Sequence, residues 1–374
     1  MNATKQTSER FSSPTSRSSN DAGMTPRVRR LLAVGTILAS AFGVMLPSHC
    51  FGLAISPGSD TTAGLGNTAN AIVRISDPGG LGSGTIIQMK AYNGGVNLDV
   101  LTADHVIRDA GGGGSSIYAP SQVSIAFGNT GGGGASFAAE DSATLFDLPL
   151  DGSSAVDLAI LDVFVPGSQL NTLPAGLAPA ALPAAGPAAN AAITQAGYGL
   201  QASVVNIGGT LSYSYSPVFG DGAGYGTLKA GPNTVNGAGV TTVNGAVSDY
   251  AGQIYVYQGF QNSCLINGVN PNYNGSTSYI FSGDSGGPSL SGNTIFGVHS
   301  SSQASQLTGD PNSQVAQPGY VWSDVSVADY LPWINTELAT LSVPEPSISS
   351  FAIFGGLIVV ATRRHWRNAL SPKK

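Results

Sequence analysis

The chain has 374 residues, of which 10% are charged, with a formal net charge of −6 and two cysteines, Cys50 and Cys264. Between residues 55 and 341 only four basic side chains (Arg74, Lys90, Arg108, Lys229) stand against eighteen acidic ones, which gives a polyanion nothing to hold and excludes nucleic-acid binding. Two cysteines exclude a disulfide-stapled scaffold, so stability must come from packing, and a stretch of this length buries most of its surface.

In chain order, Arg27, Arg29 and Arg30 precede the apolar run LLAVGTILASAFGVML (31–46), and small residues Gly52 and Ala54 follow it. That order and polarity read as a secretory signal, with cleavage expected after Ala54; a retained membrane anchor is the alternative, and Met24 is an alternative start. Cys50 leaves with the signal. Cys264 then remains alone, as a buried apolar thiol or as a partner for another chain.

Runs of β type recur between glycine-rich turns at 71–76, 84–92, 122–127, 158–165, 191–198, 209–216, 253–260, 294–300 and 319–325. Many short strands and few helical periods predict an all-β barrel or sandwich. The proline-rich stretch 171–190 reads as a linker crossing between two halves, and the Gly/Asn/Ser segments of 219–246 as long loops. One helix is expected at 326–341, with Val327, Tyr330, Trp333, Ile334 and Leu338 on one face and its start near Pro332.

The end of the chain carries Pro344-Glu345-Pro346, an apolar run from about Ile348 to Thr362, and then Arg363, Arg364 and Arg367. The run is short of the ~20 residues that span a bilayer comfortably, and the arginines favour the cytoplasmic side. These parts in this order resemble a PEP-CTERM sorting signal. The resemblance implies a Gram-negative bacterium, export past signal peptidase, a transient membrane anchor, and removal of residues 342–374 by an exosortase.

The heptapeptide SGDSGGP (282–288) sets one carboxylate and one hydroxyl among glycines. It reads as a flexible surface loop or as a turn that presents the Ser285 oxygen beside bare backbone N–H groups. A nucleophilic serine needs a base, and histidine is the usual one. With both termini removed, only His105 and His299 remain. His105, in LTADHV (101–106), follows a probable strand at the start of a turn. Asp157, directly ahead of the apolar strand LAIL, suits the carboxylate that orients the imidazole; Asp162 is its rival. GDSGG also satisfies the G-x-S-x-G elbow of α/β-hydrolases. Gly286-Gly287-Pro288 would break the helix that elbow requires, and His299 follows too soon.

GSGTII (82–87), LTADHV, DLAIL (157–161), GYG (197–199), GDSGGP (283–288) and PGYVWSDVSVADYLPWI (318–334) stand in the order of the corresponding segments of trypsin-like serine proteases, which this chain resembles from about residue 71 to 340. The resemblance implies two packed antiparallel β-barrels, about 66–170 and 190–325, with a C-terminal helix at 326–341, in a protease domain of 55–341 preceded by an extension and signal at 1–54. It implies a polypeptide substrate. No metal constellation or cofactor motif stands in the sequence, and the Asp/Asn/Gly loops that could bind calcium are too common a pattern to assign. His105 would be general base and then acid, Asp157 its orienting carboxylate and Ser285 the nucleophile, with the N–H groups of Gly283 and Ser285 as oxyanion hole. The family pairs the residue at Asp284 with a new N-terminal amine. The amine of Ile55, freed by cleavage after Ala54, would serve, unless Asp284 pairs elsewhere.

Tyr279 stands where trypsins carry the aspartate that selects Lys or Arg, so that preference is not expected. His299, on the strand that walls the primary pocket, either holds an acidic substrate side chain or is simply packed. The segment around 200–280 reads as an insertion that covers the cleft or binds a partner. The rival to an enzyme is a catalytically silent surface or matrix binding protein on the same fold.

Overall fold

Val, Ile, Leu and Tyr recurring between glycine turns put almost all of the regular structure into antiparallel strands. The computed structural model describes residues 53–55, 60–108, 116–129, 134–145, 156–200, 202–215, 226–235, 241–246, 254–263, 278–281, 283–302, 305–307, 310–317 and 320–341. The apolar segment 31–46, the tail 342–374 and Cys264 lie outside the described residues. Among the described residues no helix is long and apolar enough to cross a membrane.

A two-residue strand, β1 (Ala54–Ile55), comes first. The first large sheet then uses β2 (Ile72–Asp77), β3 (Gly80–Tyr92), β4 (Gly95–Thr102), β5 (Ser124–Ala126), β6 (Ser136–Ala138), β7 (Asp141–Thr144) and β8 (Ala159–Val165). Its spatial order is β6-β5-β2-β3-β4-β8-β7. β6 and β7 stand at opposite ends of that order, yet only Ala139 and Glu140 separate them along the chain. Both bridging N–H groups are bonded, Ala139 to the Val123 carbonyl and Glu140 to the Asp162 carbonyl, each at 2.8 Å. One continuous stretch therefore carries both ends of the sheet, and the sheet closes into a barrel. Ile75, Ile86, Leu98, Val100, Leu161 and Val163 are among its buried apolar side chains.

The second half comprises β9 (Ala192–Gly197), β10 (Ser203–Ile207), β11 (Thr210–Tyr215), β12 (Lys229–Thr234), β13 (Thr241–Ala246), β14 (Ile254–Ser263), β15 (Ser278–Tyr279), β16 (Pro288–Ser291), β17 (Thr294–Ser302), β18 (Ser305–Leu307), β19 (Asp310–Ala316) and β20 (Val321–Ser326). Seven of these form a sheet in the order β12-β9-β16-β17-β20-β14-β13, and four more form β10-β11-β19-β18. β15 pairs with β1, placing Ala54 opposite Tyr279. The all-β expectation is borne out. The expectation of loops throughout 219–246 is corrected, because β12 and β13 fall there. Glycine, asparagine and threonine mask a strand whose formation rests on backbone pairing with partners distant along the chain, here β9 for β12 and β14 for β13.

The stretch 171–190 is tied to both halves. Ala180 N–H donates to the Ile86 carbonyl in β3 at 2.9 Å, and Ala181 N–H to the Asn293 carbonyl at 2.8 Å. Helix α1 (Leu331–Thr340) follows a 3-10 turn at Ala328–Tyr330, and Pro332 occupies its first turn, where a missing N–H costs no hydrogen bond. Val327, Ile334 and Leu338 are buried, with Tyr330 and Trp333 half-buried against the same core, as the apolar face predicted.

Candidate active site

β4 and β8 are neighbours in the first barrel, with Thr102 opposite Ala159. His105 lies in the 3-10 turn Asp104–Ile107 just past the end of β4, and Asp157 lies two residues ahead of β8. Adjacent strand ends thus bring the two side chains together. His105 Nδ1 lies 2.7 Å from Asp157 Oδ2, and the His105 backbone N–H donates to Asp157 Oδ1 at 2.9 Å. Ser300 Oγ donates to Asp157 Oδ2 at 2.6 Å. The imidazole is 16% exposed and the carboxylate 1%. Burial alone would raise the Asp157 pKa. The charge of His105 and the hydrogen bonds from His105 and Ser300 outweigh it and hold the carboxyl below its ordinary range. Beside it, Asp104 is bonded to Arg108 and Thr144 and fastens the turn that carries His105. Burial pushes the Asp104 carboxyl up to about 6 despite Arg108.

Ser285 sits in a tight turn between β15 and β16. Gly283 at φ +89° and Gly286 at φ +79° occupy the left-handed region that favours glycine. Ser83, in β3, clamps this turn to the first barrel. Its N–H donates to the Ser285 carbonyl and its Oγ to the Gly283 carbonyl, both at 2.8 Å. A Cβ on Gly286 would stand 2.1 Å from Thr102 Oγ1 and 3.0 Å from the Ala103 nitrogen, so the turn lies against the segment that leads into His105. The Ser285 turn is thus held against the first barrel next to the segment that leads into the His105–Asp157 pair. Among the described residues, the N–H groups of Gly283 and Ser285 are given to no protein acceptor, whereas Gly286 and Gly287 donate to the His299 and Asp284 carbonyls.

Asp284 is fully buried under the turn, and its carboxylate accepts the N–H groups of Phe281 and Gly199, both at 3.2 Å. Burial pushes it up to about 7, with His299 and those two N–H groups working the other way. A Cβ on Gly197 would lie 2.1 Å from Asp284 Oδ1, which explains why GYG must begin with glycine. Ile55 lies opposite Ser278 in the β1–β15 pair, and Leu53 and Ala54 are both buried. In the continuous chain Asp284 therefore rests on backbone donors, and a boundary drawn after Ala54 cuts through β1.

Tyr279 and His299, expected to line an open primary pocket, are both completely buried. The Tyr279 hydroxyl donates to the Val321 carbonyl at 2.8 Å, and its ring meets Phe281 edge-on. His299 Nδ1 lies 2.8 Å from Asp324 Oδ1, with the ring edge-on to Trp322. Asp162 accepts from Asn97 Nδ2 at 3.1 Å and stands opposite Asp99, so it is bonded elsewhere in the barrel.

No family model matches the chain, and no curated protein matches it. Among solved structures, a scabies mite inactivated protease paralogue, S-I1, is 20% identical over 73% of this chain and 96% of its own, with a TM-score of 0.41. A second such paralogue, S-D1, is 17% identical over 77% and 97%, with a TM-score of 0.43. Neuropsin, a serine protease of mouse brain, is 13% identical over 73% and 96%, with a TM-score of 0.41.

Two residues of the site escape sequence reasoning. Ser300 is one, and its only signal is a hydroxyl directly after His299 on an otherwise buried strand. Ser83 is the other; besides clamping the turn it accepts the Tyr198 N–H at 2.9 Å and so joins GSG, GYG and GDSGG in one network.

Proposed function

We propose that this chain is an exported serine endopeptidase that hydrolyses peptide bonds through Ser285, His105 and Asp157. The observation that carries the reading is the His105–Asp157 pair, doubly bonded and partly exposed at the sheet junction, with the Ser285 turn packed against the same segment. Asp157 fixes the imidazole with its proton on Nδ1, leaving Nε2 as the base. Ser285 Oγ attacks the scissile carbonyl carbon while its proton passes to His105 Nε2. The oxyanion of the tetrahedral intermediate takes the N–H groups of Gly283 and Ser285; losing one such donor costs roughly 3 kcal/mol of transition-state stabilisation. The C–N bond then breaks, the leaving amine takes the proton from His105, and an acyl-enzyme remains. Water, deprotonated by His105, attacks the acyl carbon and releases Ser285.

Tyr279 and His299 are assigned to the inner wall of the primary pocket, behind the turn. Neither is an aspartate, so cleavage after Lys or Arg is not expected. His299 is sealed and already held by Asp324, so it does not reach a substrate's acidic side chain, and a peptide library is expected to show no gain for Glu at the cleavage position. Export is assigned to the segment 31–46 and the tail 342–374, through signal peptidase and an exosortase, with the bacterial cell surface or exterior as destination.

The decisive test is labelling with a fluorophosphonate. Wild-type protein is expected to be labelled on Ser285, and Ser285→Ala protein is not. A folded wild-type chain that resists labelling would leave only a binding scaffold.

A further inference from the structure

One face of the first barrel carries a row of residues with no role in the chemistry above. Gln88 stands opposite Asp99, Asp99 opposite Asp162, and Asp162 opposite Asp141, across β3, β4, β8 and β7. Directly opposed residues of antiparallel strands share a face with Cβ atoms ~5 Å apart, and like charges so placed repel. Asn97, two residues before Asp99, joins the row through its bond to Asp162. Asp99 is 1% exposed, Asp162 5% and Asn97 6%.

The oxygens of this row are starved of donors. Asp99 Oδ1 and Oδ2, Asp162 Oδ1, Asn97 Oδ1 and Gln88 Oε1 are all buried, and among the described residues none has a hydrogen-bond partner. Buried polar atoms are normally satisfied, so five orphan acceptors on one face need a missing donor. The nearest cation, Lys90, lies 3.9 Å from Asp99 Oδ2 and gives its ammonium to the Leu338 carbonyl at 2.5 Å. That carbonyl belongs to the last turn of α1, whose partial negative charge adds to the imbalance.

We propose that Asp99 and Asp162, completed by the amide oxygens of Asn97 and Gln88 and by water, bind one hard divalent cation of the calcium class. Oxygen-only donors select such an ion over zinc or copper. The shell contains two carboxylates, Asp99 and Asp162, which stand directly opposite each other; among the described residues no cluster of three or more His, Cys, Asp or Glu that could hold a metal occurs. So few charges suit binding in the range of about 0.1–1 mM, typical of extracellular modules. The sequence gives no hint of the site because its ligands come from three separate strands, Gln88 from β3, Asn97 and Asp99 from β4 and Asp162 from β8, and not from a loop motif.

The test is equilibrium dialysis of the full chain, freed of metal with EDTA, against radioactive calcium chloride, beside thermal unfolding at pH 8. One calcium per chain and a Tm higher by about 3 °C at 10 mM calcium are expected for the wild type. Asp99→Asn/Asp162→Asn should lose both. In EDTA that variant should melt no lower than wild type, because the change removes the repulsion and keeps the shape. The single Asp162→Asn variant, expected to lose at least tenfold in affinity, reports separately if the double variant does not fold. Calcium affinity left unchanged by either substitution overturns the proposal. So does a wild-type Tm that is indifferent to calcium but rises as the pH is lowered to 6, which would mean that a proton alone relieves the pair.

Discussion

Among the described residues two histidine–aspartate pairs occur, His105–Asp157 and His299–Asp324, and their ring-to-carboxylate distances are nearly the same, 2.7 and 2.8 Å. The first has a partly exposed ring, a carboxylate that takes three recorded bonds, and a hydroxyl-bearing turn beside it. The second is sealed, 0% exposed on both sides, and His299 Nε2 and Asp324 Oδ2 have no hydrogen-bond partner. The short contact is therefore not what distinguishes the two pairs. What distinguishes them is the partial exposure of the His105 ring and the extra donors that hold the Asp157 carboxyl ionised.

The largest effects should fall on the exposed pair. Ser285→Ala is expected to lower peptide hydrolysis by at least about 10⁴-fold, and Asp157→Asn by about 10⁴-fold in kcat through the wrong imidazole tautomer. Steady-state kinetics on a peptide substrate checks both. Stability should reverse the order of the pairs. His299→Ala leaves Asp324 buried without its partner and should cost roughly 3 kcal/mol, a fall in Tm of about 6–9 °C by calorimetry. His105→Ala should cost less than half as much, because Asp157 keeps its bonds from the backbone and from Ser300. Equal losses for the two would erase the distinction. Ser300→Ala removes one hydroxyl bond to Asp157 and should slow kcat about tenfold with KM unchanged.

The smallest effect contrasts carboxylates. Asp157 is held below its ordinary range, whereas Asp284 is raised to about 7. A raised acid binds its proton more tightly when folded, so its contribution is present below about pH 4 and is lost as the pH climbs through about 7. Asp284→Asn should flatten the decline of Tm between pH 5 and 8 by a few degrees, measured by calorimetry in the Ser285→Ala background.

The sequence makes the apolar strands, the helix face and the residues that meet at the sheet junction legible, because each is encoded locally by alternation, by a 3.6-residue period or by a motif. It hides what depends on partners distant along the chain. β12 and β13 are strands only because β9 and β14 lie beside them. Ser300 matters only because folding sets it against Asp157, 143 positions away. Tyr279 and His299 occupy the positions expected along the chain, but whether a side chain faces solvent or packing is decided by β1 and Asp324, which no motif announces.

The stretch Ser136–Thr144 has one further consequence. By carrying both ends of the first sheet it keeps the end strands there short, three residues in β6 and four in β7, which offers a foreign peptide little ladder to zip onto. Among the described strands the longer ends lie in the other half, where β12 and β13 run six residues each. Recruitment of other chains and resistance to it are thus divided between the two halves of one molecule.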